Sequence, residues 1–493
     1  MQLSGESLRK VSSNIIINKV DDVFVRVHCE KGIAMEMSEY FTFYVPGYKF
    51  MPAFRNKVWD GKIRLFNTQN HQIYYGLVPY IERFCEEREY TYECNIDAAE
   101  EFSEDEAMTF IDTLGMPFMP RDYQIKAFVY AIRNNRGLLL SPTASGKSLI
   151  IYLIVRYLNC RTLIIVPTIS LVSQLFKDFE DYGWDSNENA HKIIAGATKT
   201  TDKQVIISTW QSIYKQPKEW FDKFDLVIGD EAHLFKAQSL TSILSKMTSC
   251  SHRYGLTGTL DGTQTHKLVL EGLFGKVKQI TTTKELIDSG KLAKFRIKAL
   301  VLKYSEETCK VISKKSYQEE IDYIVSSPAR NKFIKNLALS MKGNTLVLFQ
   351  YVEKHGSILH RMIQDSIDED RHLFFIHGGV DVNEREEVRR ITEEESNAII
   401  IASYGTFSTG VNIRNLHNVV FASPSKSKIR TLQSIGRGLR LGDNKEIATL
   451  LDIADDMAYK SRKNFTLDHF MERMKMYNNE KFEYKIYTIN IKE

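Results

Sequence analysis

Short apolar segments alternate with amphipathic segments along most of the chain, and this alternation restricts the possible folds more than any other feature. The apolar segments are rich in β-branched residues, whereas Ser148–Leu158 and Ile169–Tyr182 have the periodicity of helices. Strands that alternate with helices of about 10–15 residues indicate βαβ units and a parallel sheet. The predicted strands form an early and a late set: Gly137–Leu140, Thr162–Val166, Val205–Ser208 and Asp225–Ile228, then Thr345–Phe349, His372–Ile376, Ala398–Ala402, Asn418–Ala422 and Ile447–Asp452. The sequence therefore predicts an α/β protein with two parallel sheets in tandem.

The two ends of the chain differ from this pattern and predict further parts. From Glu93 to Ala107 the sequence has seven acids and no Lys or Arg, which is typical of a self-repelling linker. Leu467–Met476 has the pattern of an amphipathic helix and Phe482–Ile491 that of a strand, and we expect both to pack on the second sheet or across a cleft. The predicted domains are a small N-terminal α/β domain (1–95), two parallel-sheet domains (96–285 and 286–455) and a C-terminal extension (456–493).

Composition excludes some classes of protein but does not identify a partner. The 66 Lys and Arg residues against 62 Asp and Glu residues leave a formal net charge of +4, so any nucleic-acid-binding face must be local. The longest apolar runs, such as Leu163–Val166, are far shorter than the roughly 20 residues needed to cross a bilayer. Neither a signal peptide nor a pair of closely spaced cysteines is present. We therefore expect a cytoplasmic protein, with reduced thiols and no membrane partner.

A phosphate-binding loop is indicated by Ser141–Ser148, which follows a predicted strand and begins a predicted helix. Lys147 would reach the β- and γ-phosphates of ATP, and the Ser148 hydroxyl would ligate Mg²⁺. Ser141 occupies the place of the usual first glycine of this motif. The backbone N–H groups that would converge on the phosphates at the start of the helix belong to Thr143, Ala144, Ser145 and Gly146.

A second ATP element is predicted at Asp230-Glu231-Ala232-His233, directly after an apolar strand. An Asp at the tip of that strand can hold Mg²⁺, and the neighbouring Glu231 can act as the general base for the attacking water. An acidic loop without a catalytic role is the alternative for the tetrapeptide alone.

A third element is Gln433–Arg440, which contains two arginines three residues apart and therefore on one helical face. Two guanidinium groups on one face suit the charge of a transferring phosphoryl group, which makes Arg440 the candidate arginine finger and Arg437 a second phosphate contact. Because the elements lie on different sheets, we expect hydrolysis to require that the two sheets close on one nucleotide.

In this order, the motifs resemble those of the superfamily 2 helicases from about Pro120 to Asp452. The resemblance implies two tandem RecA-like domains that use ATP and Mg²⁺. Further segments match motifs of this superfamily, among them Arg121–Gln124, Ile165–Thr168, Ser208–Ser212, Thr257–Thr259, Leu346–Phe349 and Ser403–Ile413.

The matched motifs imply roles for individual residues. Nucleotide contacts would come from Arg121, Gln124 and Gly410. Coupling of hydrolysis to movement would involve His233, Thr257, Thr259 and Gln433. Contacts to a nucleic-acid backbone would come from Thr168, Thr209, Trp210 and Thr406. Ser434 and Thr257-Gly258-Thr259 depart from the DEAD-box pattern, which favours the DNA-acting branches of the superfamily.

Nearly the whole chain resembles the recombination and repair helicases of T-even bacteriophages, including Asn56–Leu65, Lys215–Trp220 and Ser316–Glu320. This resemblance implies a phage enzyme, located in the cytoplasm of the infected bacterial host, that unwinds branched DNA such as forks and junctions and acts on RNA–DNA hybrids in R-loops. We expect it to act as a monomer.

The segment from Tyr48 to Phe66 is a candidate DNA-binding region because it has five basic residues and one acid, Asp60, with interleaved aromatics. Lys57, Lys62 and Arg64 are the predicted phosphate contacts. Asp60-Gly61 also predicts a hairpin turn. Trp59 and Phe66 can alternatively belong to the core of a small domain.

Three functions remain open on the residues alone. The first is an ATP-dependent DNA helicase, and the second is a duplex translocase that uses the same motor without separating strands. The third is a nucleic-acid-binding scaffold with an inactive motor, against which the intact Lys147, Asp230 and Glu231 argue.

Overall fold

The computed structural model describes residues 14–96, 98–194, 196–236, 238–260, 263–409, 413, 415–424, 427 and 447–492. The chain forms two compact units, of which the first ends at Ile280 and the second begins at Thr281 and includes the loop Ser141–Gly146. Among the helices of these residues, none has the length and apolarity that a bilayer crossing requires.

The first unit begins with a small α/β layer. Its main sheet has the strand order β5-β2-β1-β6, and a separate antiparallel pair joins β3 to β4. The elements are β1 Ile15–Lys19, β2 Phe24–Cys29, α1 Lys31–Tyr40, β3 Thr42–Tyr44, α2 Pro52–Arg55, β4 Lys62–Arg64, β5 Gln72–Tyr74, α3 Val78–Glu87 and β6 Tyr92–Asn95. This confirms the small N-terminal α/β region predicted from the sequence.

The acid-rich segment is not a linker, contrary to the sequence prediction. Ser103 caps the helix α4 (Glu104–Thr113), and its side chain exchanges hydrogen bonds with Glu106 in a capping box. Three of the acids lie in the first helical turn, where the helix dipole favours negative charge. Glu100 is fixed as well, since its backbone N–H donates to the carbonyl of Arg133 at 2.8 Å.

The second layer of the first unit is a parallel sheet of seven strands within the described residues, in the order β13-β7-β12-β11-β8-β10-β9. Its strands are β7 Arg136–Leu140, β8 Thr162–Val166, β9 Ala190–Ile193, β10 Val205–Thr209, β11 Leu226–Asp230, β12 His252–Thr257 and β13 Val277–Gln279. Its helices are α5 Asp122–Asn134, α6 Lys147–Leu158, α7 Ile169–Asp181, α8 Ser186–Asn189, α9 Trp210–Ile213, α10 Lys218–Phe221, α11 Gln238–Lys246 and α12 Gln264–Phe274. Residues of the N-terminal layer (Ile17, Leu77, Phe84) share one hydrophobic core with residues of this sheet and α12 (Leu163, Val227, Phe274).

The second unit contains another parallel sheet, again with seven strands in the part of the chain that the structure describes, in the order β16-β17-β15-β18-β19-β14-β20. Its strands are β14 Lys294–Lys303, β15 Thr345–Phe349, β16 Leu373–Ile376, β17 Ile399–Ser403, β18 Asn418–Phe421, β19 Ile447–Asp456 and β20 Tyr484–Asn490. Its helices are α13 Thr283–Asp288, α14 Glu306–Ile312, α15 Tyr317–Ser326, α16 Pro328–Ser340, α17 Ser357–Gln364, α18 Val382–Glu394, α19 Tyr404–Thr409 and α20 Phe465–Asn479.

The C-terminal extension packs on this second sheet, which is one of the two places expected for it. Strand β20 pairs in parallel with β14, and the fully buried Asp452 accepts hydrogen bonds from Arg473 of α20 at 2.9 and 2.8 Å. Tyr477 donates to the same carboxylate at 2.9 Å. An unpaired charge buried in this way would cost about 3–5 kcal/mol, so the ion pair fixes α20 to the sheet.

Candidate functional site

The first sheet brings most of the predicted ATP elements to one edge. β7, β12 and β11 are adjacent and parallel, with Leu140 opposite Thr257 and Leu256 opposite Asp230. The phosphate loop, the Thr257–Thr259 segment and Asp230–His233 follow the carboxyl ends of these three strands. Since ligands of open α/β sheets bind outside the carboxyl ends of the strands, this edge is the candidate site.

The phosphate loop has the backbone shape of an anion site. Gly146 has φ of +76° and Ala144 has φ of +68°, and helix α6 begins immediately afterwards at Lys147. Left-handed residues in a tight loop turn successive N–H groups toward one point, and a non-glycine residue such as Ala144 adopts this conformation only at a cost in strain.

Ser141, which replaces the usual glycine, is fully buried and takes part in holding the loop. Its hydroxyl donates to Ser145 Oγ at 2.7 Å, and the Ser145 hydroxyl donates to the Pro142 carbonyl at 2.7 Å. A serine is therefore compatible with this loop because its hydroxyl has a partner inside it. Thr143 lies between these anchored residues and is half-buried.

The Ser148 hydroxyl lies 2.7 Å from the phenol oxygen of Tyr182, which follows α7. Burial raises the pKa of Tyr182, so the phenol stays protonated and can act as a donor to Ser148. A hydroxyl oxygen that accepts this bond keeps a second lone pair. Tyr182 was not among the predicted site residues, because it lies 34 residues from Ser148 in the sequence.

Asp230 ends β11, and its carboxyl has a perturbed pKa. Burial and the adjacent charge of Glu231 raise this pKa to about 6, against the opposing effect of the Lys147 ammonium group. Its Oδ1 accepts a hydrogen bond of 2.9 Å from the backbone N–H of Glu231, which has φ of +51°. Strained backbone beside a desolvated carboxylate is typical of a functional site.

His233 connects the Asp230–His233 segment, which follows β11, to Thr257 at the end of β12. Its Nδ1 lies 3.3 Å from Glu231 Oε2 and 3.0 Å from Thr257 Oγ1. The Thr257 hydroxyl donates its proton to the carbonyl of Thr259 at 3.0 Å, so Thr257 Oγ1 must accept from His233. This places the proton of the imidazole on Nδ1, where it bonds to Thr257 and lies near the Glu231 carboxylate.

The surroundings of His233 keep this arrangement in place. His233 is 4% exposed and Thr257 is fully buried, and the backbone carbonyl of His233 lies 2.9 Å from His266 Nε2. The structure thus brings together His233, Thr257 and Thr259, as the coupling motif predicts. His266 was not predicted, since a lone histidine 33 residues away has no sequence signal.

Arg121 and Gln124 lie at the start of α5 and contact each other. Gln124 Oε1 accepts from the backbone N–H of Arg121 at 2.8 Å, and Arg121 Nη1 donates to the hydroxyl of Tyr123 at 2.9 Å. Gln124 is buried at 4% exposure, whereas Arg121 is exposed. The glutamine therefore holds the helix terminus with its oxygen.

The predicted nucleic-acid contacts Thr168, Thr209 and Trp210 lie at the carboxyl ends of β8 and β10, on the same edge of the first sheet. Val166 lies opposite Thr209 in the register. The Thr168 hydroxyl accepts from the N–H of Leu171 and so begins α7, and Thr209 Oγ1 lies 3.0 Å from Ser212 Oγ. In the second unit, Thr406 follows β17 and its hydroxyl accepts from Ser403 at 2.8 Å.

Four predicted site residues lie outside the described residues. They are Gly410, Gln433, Arg437 and Arg440.

The predicted DNA-binding segment forms the excursion between β3 and β4. Lys57 is exposed and has φ of +57°, and Lys62 Nζ lies 5.0 Å above the ring of Tyr44. Arg64 is paired with Asp60 at 2.5 Å, and this hydrogen bond lowers the pKa of Asp60. Phosphate would have to compete with Asp60 for Arg64.

Two further predictions for this segment have a structural outcome. The predicted hairpin at Asp60-Gly61 is wrong, because β4 pairs with β3 across a long loop and Gly61 is only the last residue before β4. Phe66 is buried at 2% exposure and belongs to the core, while Trp59 is half-buried and donates its indole N–H to the carbonyl of Lys62 at 2.8 Å.

Three protein families match the chain in succession. Residues 14–97 match the N-terminal domain of the DNA helicase UvsW, residues 117–262 match the res subunit of type III restriction enzymes, and residues 329–442 match the helicase conserved C-terminal domain.

Individual relatives agree with these families. The chain is 35% identical over 495 residues to the ATP-dependent DNA helicase uvsW of Enterobacteria phage T4, covering 95% of this chain and 98% of the relative. It is 25% identical over 381 residues to the DNA 3'-5' translocase XPB2 of Sulfurisphaera tokodaii, covering 70% and 84% of the two chains. The crystal structure of T4 UvsW matches with a TM-score of 0.52 and 34% identity over 97% of this chain and 99% of the other. Together with two tandem RecA-like sheets that carry the superfamily 2 motifs, these similarities show that the chain belongs to the UvsW family of ATP-dependent DNA helicases.

Proposed function

We propose that this helicase unwinds branched DNA, such as forks and junctions, in phage recombination, repair and replication, and that it takes RNA–DNA hybrids as well. The observation that supports this most directly is the basic excursion between β3 and β4, which lies outside both parallel sheets. Basic side chains on such a surface neutralise DNA phosphates and would add contacts beyond those made by the motor sheets. The domain division 1–95, 96–285, 286–455 and 456–493 and a monomeric state belong to the same proposal.

ATP hydrolysis would use the carboxyl edge of the first sheet. Backbone N–H groups of the loop from Thr143 to Gly146 and the ammonium group of Lys147 bind the phosphates. Glu231 accepts a proton from the attacking water. By the family resemblance, Arg437 and Arg440 contact the phosphoryl group, Gly410 contacts the nucleotide, and Gln433 belongs to the coupling set.

The residues at this edge fit Mg²⁺. Asp230 has a desolvated carboxyl beside a second acid, and its raised pKa of about 6 means that a nearby cation would stabilise the ionised form. Ser148 adds a hydroxyl oxygen, and Mg²⁺ prefers oxygen donors of both kinds. When bound, the ion would offset the negative charge of the phosphate oxygens.

Coupling would pass through the Nδ1 proton of His233. When Glu231 takes up the proton of the water, its carboxylate loses negative charge and attracts the nearby His233 Nδ1–H less strongly. The N–H then bonds more strongly to Thr257, which is joined to the segment after β12 through the carbonyl of Thr259. In this way, protonation of Glu231 would change the hydrogen bonding at the end of β12.

Replacement of Thr257 by valine tests this coupling. Without the hydroxyl, His233 Nδ1 loses its hydrogen bond to the strand end at Thr257, and the segment after β12 no longer responds to the charge of Glu231. We expect the number of base pairs opened per ATP to fall by up to about tenfold, the size of one net hydrogen bond. ATP turnover and fork unwinding are measured on the same substrate. Thr113→Val, at the exposed end of α4, is the matched control, and a parallel fall of both rates would contradict coupling.

The DNA-binding role of the excursion predicts a change in salt dependence. We expect Lys57→Ala with Lys62→Ala to weaken binding to forks and four-way junctions and to reduce the slope of log K against log salt by about 2, roughly one unit per lost phosphate contact. Lys31→Ala with Lys126→Ala removes the same charge from exposed sites elsewhere in the first unit. Unchanged affinity and slope would remove the excursion from the DNA site.

A further inference from the structure

The excursion between β3 and β4, residues 45–61, is a closed loop rather than an open strand connection. At its base the backbone N–H of Val45 donates to the carbonyl of Gly61 at 2.9 Å. Within it, the N–H groups of Lys57 and Val58 donate to the carbonyls of Phe54 and Ala53 at 3.0 and 2.9 Å. The loop thus satisfies its own backbone groups, as compact Ω-loops do.

Aromatic packing stiffens this loop. The ring of Tyr48 stacks on Tyr44 with centroids 4.7 Å apart and meets the edge of Phe54, also at 4.7 Å. Gly61 passes directly beneath Tyr48, since a Cβ there would lie 2.3 Å from the ring. With φ of +79° as well, Gly61 accepts no side chain without displacing the stack.

The same loop presents three other large apolar side chains to water. Val58 is 81% exposed, Phe50 is 75% exposed and Met51 is 37% exposed. Large apolar side chains that stay exposed on an otherwise packed loop are available for contact with a partner.

Charge identifies that partner as DNA. Lys49, Arg55 and Lys57 lie in the loop and are exposed, and the loop's one acid, Asp60, is already paired with Arg64. An apolar group flanked by cations suits a DNA branch, because phosphates surround a terminal base pair whose outer face is apolar.

The loop belongs to a layer that is fixed to the motor sheet of the first unit. Gly76 lies against α12 so closely that a Cβ would be 1.9 Å from the carbonyl oxygen of Glu271. Tyr80 donates its hydroxyl to Glu271 Oε2 at 2.6 Å. The shared core adds to these contacts. Because the N-terminal layer cannot slide over α12, the loop moves with the first sheet.

We propose that Phe50, Met51 and Val58 form a strand-separating wedge, whose apolar side chains contact the base pair at a DNA branch and part its strands as the motor advances. This inference rests on the proposed function in branched-DNA unwinding. Duplex translocases use the same motor without separating strands, and the wedge would explain why this protein does separate them.

The test compares strand separation with movement along the duplex. Phe50→Ala with Val58→Ser is expected to lower fork unwinding at least about tenfold, given the value of base stacking on one aromatic side chain. We expect two other activities to stay unchanged. One is ATP turnover at saturating fork DNA, and the other is displacement of a third strand from a triplex, which requires movement along the duplex but no separation of its two strands. Met35→Ala, 61% exposed on α1 of the same layer, is the matched control, and Phe50→Trp is expected to retain unwinding.

Two results would overturn the wedge. One is unwinding at the rate of the unaltered protein, and the other is an equal loss of triplex displacement, which would indicate a general role in the motor. Failure of the proposed function has a different signature, namely unchanged fork affinity in the variant that lacks the Lys57 and Lys62 charges.

Discussion

Lys147→Ala is expected to abolish DNA-stimulated ATP hydrolysis, lowering turnover by about 100- to 1000-fold, as removal of one preorganised charge or donor at a reacting group does. Lys147 is the first residue of α6, and its ammonium group acts electrostatically on Asp230, which ends the strand two places away in the sheet. The ammonium group of Lys147 therefore lies near enough to the acid pair to lower the pKa of Asp230, at the edge of the sheet where the phosphates would bind.

The substitution is expected to leave the fold intact, because alanine is a strong helix former and Lys147 is only half-buried. The measurement is ATP turnover with and without fork DNA, together with binding of a fluorescent ATP analogue, which we expect to weaken as well. Lys126→Ala, on the exposed face of α5, is the matched control. Normal hydrolysis by the Lys147 variant would refute the assignment of the phosphate loop.

The parallel sheets were predictable because their strands are apolar and short. Thr162–Val166 and Thr345–Phe349 have the same bounds in prediction and structure, and the other predicted strands differ by a few residues at their ends. Strand β12, His252–Thr257, escaped prediction because it begins with a histidine and an arginine. Arg253 is nevertheless fully buried, since the backbone carbonyls of Leu244, Met247 and Leu273 accept from its guanidinium group. Partners so far away in the sequence are not visible in a local pattern.

The acid-rich segment shows a second limit of sequence patterns. Charge composition alone predicted a linker at Glu93–Ala107, but Ser103 and Glu106 have the spacing of a capping box, which predicts a helix start. The local capping signal was present in the sequence, but the prediction relied on the acidic composition of the whole segment instead.

The residues of the candidate site could be predicted from the sequence, but the hydrogen bonds between them could not. Motif order indicated that His233 and Thr257 act together, and the structure adds that their side chains are hydrogen-bonded and that Glu231 Oε2 lies 3.3 Å from His233 Nδ1. Tyr182 and the wedge residues Phe50 and Val58 had no motif, since a tyrosine in a helix end or an apolar residue in a loop is ordinary until its surroundings are known.

Glu231→Gln is expected to separate ATP binding from hydrolysis. Glutamine has the size of the native side chain, and its amide oxygen can take the place of the carboxylate oxygen near His233 Nδ1, so the contact with the coupling residues is preserved. It cannot accept the proton of the attacking water. We therefore expect a loss of about 10²- to 10⁴-fold in turnover, the range for removal of a general base, with little change in ATP affinity.

The two ATP-site variants can be told apart by what remains bound. After mixing with ATP, the Glu231→Gln protein should retain unhydrolysed ATP and hold fork DNA in one bound state, whereas the Lys147→Ala protein should bind neither ATP nor its analogue tightly. Single-turnover hydrolysis and nucleotide retention on a filter measure both steps. Glu219→Gln, an exposed glutamate of α10, is the matched control. If the Glu231 variant hydrolysed ATP at the native rate, another group would have to take the proton, and Asp230, with its pKa raised to about 6, would be the residue to test next.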